Sequence, residues 1–286
     1  MSKTVILTDS GCDIPREVVD ELGIVIMPFE VSFGGQTFRE MYDKSTQEFY
    51  DMMSKDDGIP KTYPLYTEEF TKMYQKLYNE GYSDIITVLI NSKGSETFNN
   101  SIKAKDNFYS RHPNANVKIH SIDARCYSMS YGYAVVEGAK MLRNGAEVNE
   151  IVHYLEEWFK KCAIYVVPHT LKYARKSGRV SSAVALVGDI LKIKPIIQFA
   201  DYKSEMVDKI IGEKNIVKKL CDCVVSNMAQ GSPYTIIHGR NYAFATSIEK
   251  ELFQRTGRGA EMYARIGCVV SANIGADMVG VVVRRR

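Results

Sequence analysis

The sequence has no apolar run of 18 residues, so no segment reads as a membrane-spanning helix. It also lacks a charge bias. Its 37 Lys and Arg against 34 Asp and Glu leave a formal net charge of +3, too small to point to nucleic acid. The one dense basic run, Arg284-Arg285-Arg286, reads as a solvated tail. Six cysteines are scattered, and the closest pair, Cys221 and Cys223, lacks the wider, paired spacing of a zinc site. All six read as free thiols that mostly pack in the interior. The five histidines do not join them at ligand spacing, so no metal or cofactor is expected. The phosphate loop Gly-x4-Gly-Lys-Ser/Thr, the Gly-x-Gly-x-x-Gly fingerprint, internal repeats and low-complexity tracts are all missing. The N-terminal "MSKTVILTDS" has no apolar signal core or cleavage site and starts at once with a strand, which predicts a cytoplasmic protein.

What is present is an ordinary globular composition. The chain has 286 residues, 45% of them hydrophobic and 25% charged, enough to bury a core without disulfides or metal. "TVILT" (4–8), "GIVIMPFEV" (23–31), "DIITVLI" (84–90) and "VKIHSI" (117–122) read as strands. "FEVSFGGQTFRE" reads as a hairpin about Gly34-Gly35. Asp13 as N-cap before Pro15 starts a helix that Gly23 stops. Further helices are expected near 46–54, 67–79, 95–110, 127–143 and 148–161. Strand–helix alternation over the first 120 residues predicts an α/β fold with a mostly parallel sheet. From about 163 the texture becomes strand-rich. Strands are expected at "AIYVVP", "ILKIKPIIQFA", "EMVDKII", "YTIIHG", 262–270 and 278–284, with helices near 213–228 and 243–256. This predicts two tightly packed domains, a mostly parallel α/β unit at 1–160 and an α+β unit at 161–286, with a cleft between them.

Several segments are candidates for chemistry. In "INSKGSETFNNS" (90–101), Ser95 sits where a buried strand passes into a helix, the place where open α/β sheets bind ligands. The local pattern taken alone favours an N-cap, with Glu96 complementing the helix dipole. In "LTDSGCD" (7–13), Asp9, Ser10 and Asp13 are either turn residues or the start of a metal or phosphoryl site. Thr62, in the loop "DGIPKTYPLYTEEF", has no evident local structural task. Thr67, with Glu68 and Glu69, reads as the following helix start. His238 has no Ser or Cys partner at a recognisable spacing, so no hydrolytic triad is supported. Asn273, in "SANIGADMVGVVV", reads as a turn residue between two apolar strands.

Taken in order, "TDSGCDIP", "PKTYPLYTEEF", "INSKGSETFNNS", "DARCYSMSYG", "LKYARKSGRVSSAVALVGDILKIKPII", "IIHGR" and "IGCVVSANIGADMVGVVV" resemble the DegV family over essentially the whole chain. The resemblance implies a two-domain α/β protein that binds a long-chain fatty acid between its domains. It implies an acyl-carrying subunit, without catalytic residues of its own, that presents the carboxylate to a separate fatty-acid kinase subunit. Carried over residue by residue, it places Thr62, Ser95 and Asn273 at the three head-group positions. Asn273 replaces the family's His, Ile274 its Thr, Glu96 the Gly after the serine, and Tyr63 the Ser after the threonine. Ser10, Tyr63, Glu96 and Ile274 are then near-site residues, and Arg175 and Arg179 are partner-facing. Peripheral membrane contact for lipid exchange and a monomeric state complete that expectation. Two other readings stand beside it. Asn273, Glu96 and Tyr63 suit a less acidic amphiphile such as an alcohol or amide, and Asp9, Ser10 and Ser95 would serve a phosphoryl or acyl transferase.

Overall fold

The computed structural model describes residues 3–181, 184 and 193–286. The chain begins β1 (Thr4–Asp9), α1 (Arg16–Leu22), β2 (Val25–Met27), β3 (Glu30–Phe33), β4 (Gln36–Arg39), α2 (Thr46–Lys55), β5 (Lys61–Tyr63) and α3 (Thr67–Asn79). Then come β6 (Asp84–Leu89), α4 (Thr97–Arg111), β7 (Lys118–Asp123), α5 (Met129–Arg143) and α6 (Val148–Lys161). It continues β8 (Cys162–Pro168), α7 (Lys172–Ser177), β9 (Ile193–Ala200), β10 (Lys203–Ile211), α8 (Ile216–Asn227), β11 (Tyr234–His238), α9 (Tyr242–Thr256), β12 (Met262–Arg265), α10 (Cys268–Ile274) and β13 (Met278–Arg284).

The α/β expectation holds. Strands β2-β1-β6-β7 form a sheet that is parallel throughout. Parallel strands are covered on both faces, which is why 84–90 is a continuous apolar run rather than an alternating one. The hairpin also forms as expected. Gly34 (φ 56°) and Gly35 (φ 74°) supply the two left-handed residues of a tight turn, and Phe33 pairs with Gln36. With β5 this hairpin makes a small antiparallel sheet, order β4-β3-β5. The third sheet has the order β10-β9-β8-β13-β11-β12 and is antiparallel except for β11–β12.

The third sheet has two working faces. Along β8, Ile164 and Val166 pack into the larger core, which they share with the first sheet. Ala163, Tyr165 and Val167 pack on the other side with α8 and α9 residues such as Leu220 and Leu252. This period-2 alternation leaves one apolar face turned toward the first sheet.

Four local expectations are corrected. "GIVIMPFEV" is two strands in two sheets. Pro28 has no N–H to donate, so pairing stops there, and Phe29 N donates instead to Ser10 Oγ at 3.0 Å. The N-cap of α1 is Pro15, whereas Asp13 lies in the left-handed region (φ 55°) with its carboxylate turned inward. Helix α3 does begin at Thr67, but the residue capping it is Tyr66, whose N–H donates to Glu69 Oε2 at 2.7 Å. Residues 262–270 are not one strand. β12 ends at Arg265 and 268–274 is helical, so Asn273 stands in a helix and not in a turn. The β-branched pair Val269-Val270 favours a strand locally, but tertiary bonds to the helix's first amides override it. Of the expected strand "ILKIKPIIQFA", the first three residues lie outside the described residues, as do 182, 183 and 185–189 of the basic-to-apolar family segment. The cysteines are all free, five buried and Cys223 half-buried.

Candidate functional site

A cavity of about 370 Å³ lies between the first and third sheets. Its apolar wall comes from the inner face of the third sheet: Ile164 and Val166 of β8, Phe199 of β9, Ile237 of β11 and Met278 of β13. Its polar wall comes from the first sheet and the small antiparallel one. It consists of Thr62 and Tyr63 of β5, the loop Ser92–Glu96 after β6, and Tyr127 and Ser128 before α5. Helix α10 closes the side with Val269, Val270, Asn273 and Ile274. One wall is greasy and the opposite one hydroxyl-rich, as an amphiphile would require.

Of the positions singled out from the sequence, Thr62, Tyr63, Ser95, Glu96, Asn273, Ile274 and Arg179 all line this cavity. Ser10 and Arg175 do not. Ser10 is buried behind the wall and donates to Glu40 Oε2 at 2.5 Å. Asp9 lies beside it and accepts from Tyr131 Oη at 2.5 Å and Ile90 N at 2.8 Å. Asp9 and Ser10 are thus committed inside the fold and do not meet Ser95 at an open surface. Burial pushes the Asp9 carboxyl up to about 6 and that of Glu40 up to about 7. Arg179 is exposed and lines the cavity, a placement that its position just past the end of α7 did not suggest.

Ser95 belongs to a hydroxyl chain that the sequence did not reveal. Leu65 N donates to Thr97 Oγ1 at 3.2 Å, and Thr97 Oγ1 lies 2.9 Å from Ser95 Oγ. Thr97 is fully buried, so its own proton is best used on Ser95 Oγ, which leaves the Ser95 O–H to donate elsewhere. Asn100 Nδ2 donates to Leu65 O at 2.9 Å, so the first turn of α4 also holds the segment that follows Thr62 and Tyr63. The N-cap position of α4 falls to Glu96 and not to Ser95, which stands one residue earlier. Ser95 Oγ accepts from Thr97 N at 3.3 Å. The signal that could have exposed Thr97 was the Ser-x-Thr spacing at a strand-to-helix junction.

Glu96 is exposed at the cavity opening, and its Oε2 accepts from Asn99 Nδ2 at 3.3 Å, along its own helix. Lys93, also exposed and lining the cavity, places Nζ 4.6 Å from the centre of the Tyr202 ring. Among the described residues, the opening therefore carries Lys93 and Arg179 against one carboxylate. Asn273 Nδ2 donates to Val269 O at 2.7 Å, which commits one of its two N–H groups to its own helix. Among the described residues no cluster of three or more His, Cys, Asp or Glu could hold a metal ion. No described helix is long and apolar enough to cross a membrane.

The Thr97 bond gives a first prediction. Thr97→Val keeps the shape but leaves Leu65 N buried and unpaired, a cost of about 1–3 kcal/mol. The melting temperature should fall by several degrees, and the Tyr63–Leu65 segment should exchange its amide hydrogens faster. An unchanged melting curve would mean that the bond holds nothing.

The DegV family model, described as an uncharacterised protein family, matches residues 3–286. A DegV domain-containing protein of Clostridium perfringens is 28% identical over 284 residues, covering 98% of each chain. A stearic-acid-binding protein from Eubacterium ventriosum superposes with a TM-score of 0.88 at 21% identity, covering 100% of this chain and 98% of its own. A fatty-acid-binding DegV family protein from Thermus thermophilus superposes with a TM-score of 0.86 at 18% identity, covering 99% of this chain and 100% of its own. With a family match spanning nearly every residue, the chain belongs to the DegV family.

Proposed function

We propose that this protein binds one long-chain fatty acid in the cavity, with its tail on the third sheet and its head group near Thr62, Ser95 and Asn273. The observation that carries the reading is the cavity's two-sided chemistry, apolar on β8, β9, β11 and β13 and hydroxyl-bearing on the opposite wall. Each buried methylene contributes about 0.8 kcal/mol, so the tail supplies most of the affinity. Lys93 and Arg179 at the opening attract the carboxylate, and Ser95 donates to it. Glu96 is turned along its helix and does not oppose it. In this reading the chain is a carrier without catalysis of its own, built as two domains, 1–160 and 161–286, and working as a cytoplasmic monomer. It hands its acid to a separate kinase subunit, with Arg175 and Arg179 facing that partner, and reloads by peripheral contact with a membrane. The fatty-acid ligands reported for the relatives from E. ventriosum and T. thermophilus support it. Organic extraction of purified protein followed by mass spectrometry tests it. A stoichiometric fatty acid is expected, and no lipid together with no uptake of added fatty acid would contradict it.

One observation favours a second ligand class in the same cavity. With one N–H of Asn273 committed to Val269 O, its amide offers the ligand an acceptor oxygen and one remaining donor. That suits an alcohol or amide head group better than a carboxylate. Asn273→His separates the two. A gain in fatty-acid affinity of roughly tenfold, the scale of one charge-assisted hydrogen bond, would place the native pocket nearer to uncharged amphiphiles. Unchanged or weaker binding would keep the fatty acid.

A further inference from the structure

Three carboxyl groups are buried behind the cavity: Asp9 is 0% exposed, Glu40 1% and Asp13 7%. None of them lines the cavity, yet each holds residues that do. Asp9 Oδ2 accepts from Ile90 N at 2.8 Å. Glu40 receives Ser10 Oγ, which itself accepts from Phe29 N at 3.0 Å. Asp13 Oδ2 accepts from Ser128 Oγ. Phe29, Ile90 and Ser128 are all cavity residues. Two further bonds reach across to the far end of the chain. Glu40 Oε1 accepts from Val269 N at 2.9 Å, and Asp13 Oδ1 accepts from Gly267 N at 2.8 Å. These two amides open α10, whose Val269, Val270, Asn273 and Ile274 form one side of the cavity. Gly267 has no room for a side chain there, since an added Cβ would overlap Glu40 Oε1 and stand 3.0 Å from Asp13 Oδ1.

A buried carboxyl cluster is a poor source of net stability, because desolvation offsets most of what its hydrogen bonds return. What it supplies is direction. Carboxyl oxygens accept along fixed lines, and so hold the amides that bond to them in one direction. Apolar packing on β-branched Val269 and Val270 would let α10 roll, whereas two bonds to its first turn do not. We propose that Glu40 and Asp13 are positioning residues for the cavity: they fix the start of α10 against the first sheet and so set where Asn273 and Ile274 face the ligand. The inference rests on the lipid-binding reading for its functional meaning. Its anchoring claim stands on the geometry alone.

The test compares wild type, Glu40→Ala and Glu40→Gln by amide hydrogen exchange without ligand and by palmitate titration of delipidated protein. Glu40→Gln keeps an acceptor for Val269 N and turns its amide toward Ser10 Oγ. In Glu40→Ala, exchange over residues 267–275 should accelerate at least tenfold while β11 and α9 stay protected, and palmitate affinity should fall roughly tenfold, the scale of one buried bond to a charged group. Glu40→Gln should restore both to within about threefold of wild type. Asp13→Ala, with Asp13→Asn as its conservative partner, repeats the comparison on the Gly267 bond, so the outcome does not hang on one variant's folding. Exchange that is unchanged at 267–275, or faster uniformly along the chain, overturns the inference. So does unaltered palmitate affinity, or a glutamine variant no better than the alanine. Wild-type protein that takes up no palmitate overturns the lipid-binding reading, and the exchange comparison then decides by itself whether the two carboxyls fix α10.

Discussion

Gly132→Ala should lower the melting temperature by roughly 5 °C, although the same change in an open helix would stabilise it. Gly132 lies in α5, where alanine is the better helix former by about 1 kcal/mol. At this site the added Cβ would sit far inside van der Waals contact of Cys12 O and 2.8 Å from Met129 Sδ. The methionine can swing away, but the carbonyl cannot. It belongs to the turn after β1, which is held by Asp9 through Gly11 N at 3.1 Å and by Asp13 through Gly267 N. Overpacking against fixed backbone costs up to about 3 kcal/mol, so the net effect is a loss of about 2 kcal/mol. Thermal unfolding followed by circular dichroism measures it, and an unchanged or raised midpoint would mean that α5 does not press on that turn.

Val166→Trp should abolish lipid uptake while leaving a folded protein. Val166 is 2% exposed, and its side chain stands on the cavity face of β8. An indole there has the cavity itself to enter, so the strain on the core stays within the usual 1–3 kcal/mol. The ligand loses the space instead. If the tail is denied about five methylenes at about 0.8 kcal/mol each, about 4 kcal/mol of affinity goes, nearly a thousandfold. Tyr165→Phe, one residue earlier, is the matched control. Tyr165 faces the opposite side, against α8 and α9, and its hydroxyl meets Gln198 Nε2 at 2.5 Å. That variant should bind lipid as wild type does, since its side chain lies on the face turned away from the cavity.

The contrast between these neighbours also shows what a sequence reader can and cannot see. Strands such as 84–90 and the Gly34-Gly35 hairpin are written locally, in apolar runs and left-handed glycines. So is the strand-to-helix junction that carries Ser95. Helix α10 is written elsewhere. Its own Val-Val pair argues for a strand, yet it is helical, with its first amides received by Glu40 and Asp13, 229 and 254 residues away. Glu40 itself follows an exposed hairpin, where nothing local marks an acid that will be buried. Thr97 resembles any threonine in a first helical turn, and only its distance to Ser95 and Leu65 N gives it a task. Arg179 reads from the family resemblance as partner-facing, and the fold also brings it to the cavity opening. Local chemistry announces the elements, and contacts across hundreds of residues decide which side chains meet.

The cavity's role as a lipid site is most directly tested by calorimetric titration of palmitate into delipidated wild type, Val166→Trp and Tyr165→Phe. Saturable uptake of one palmitate by wild type and Tyr165→Phe, with none by Val166→Trp, is the predicted result. No binding by wild type, or equal binding by all three proteins, would contradict it.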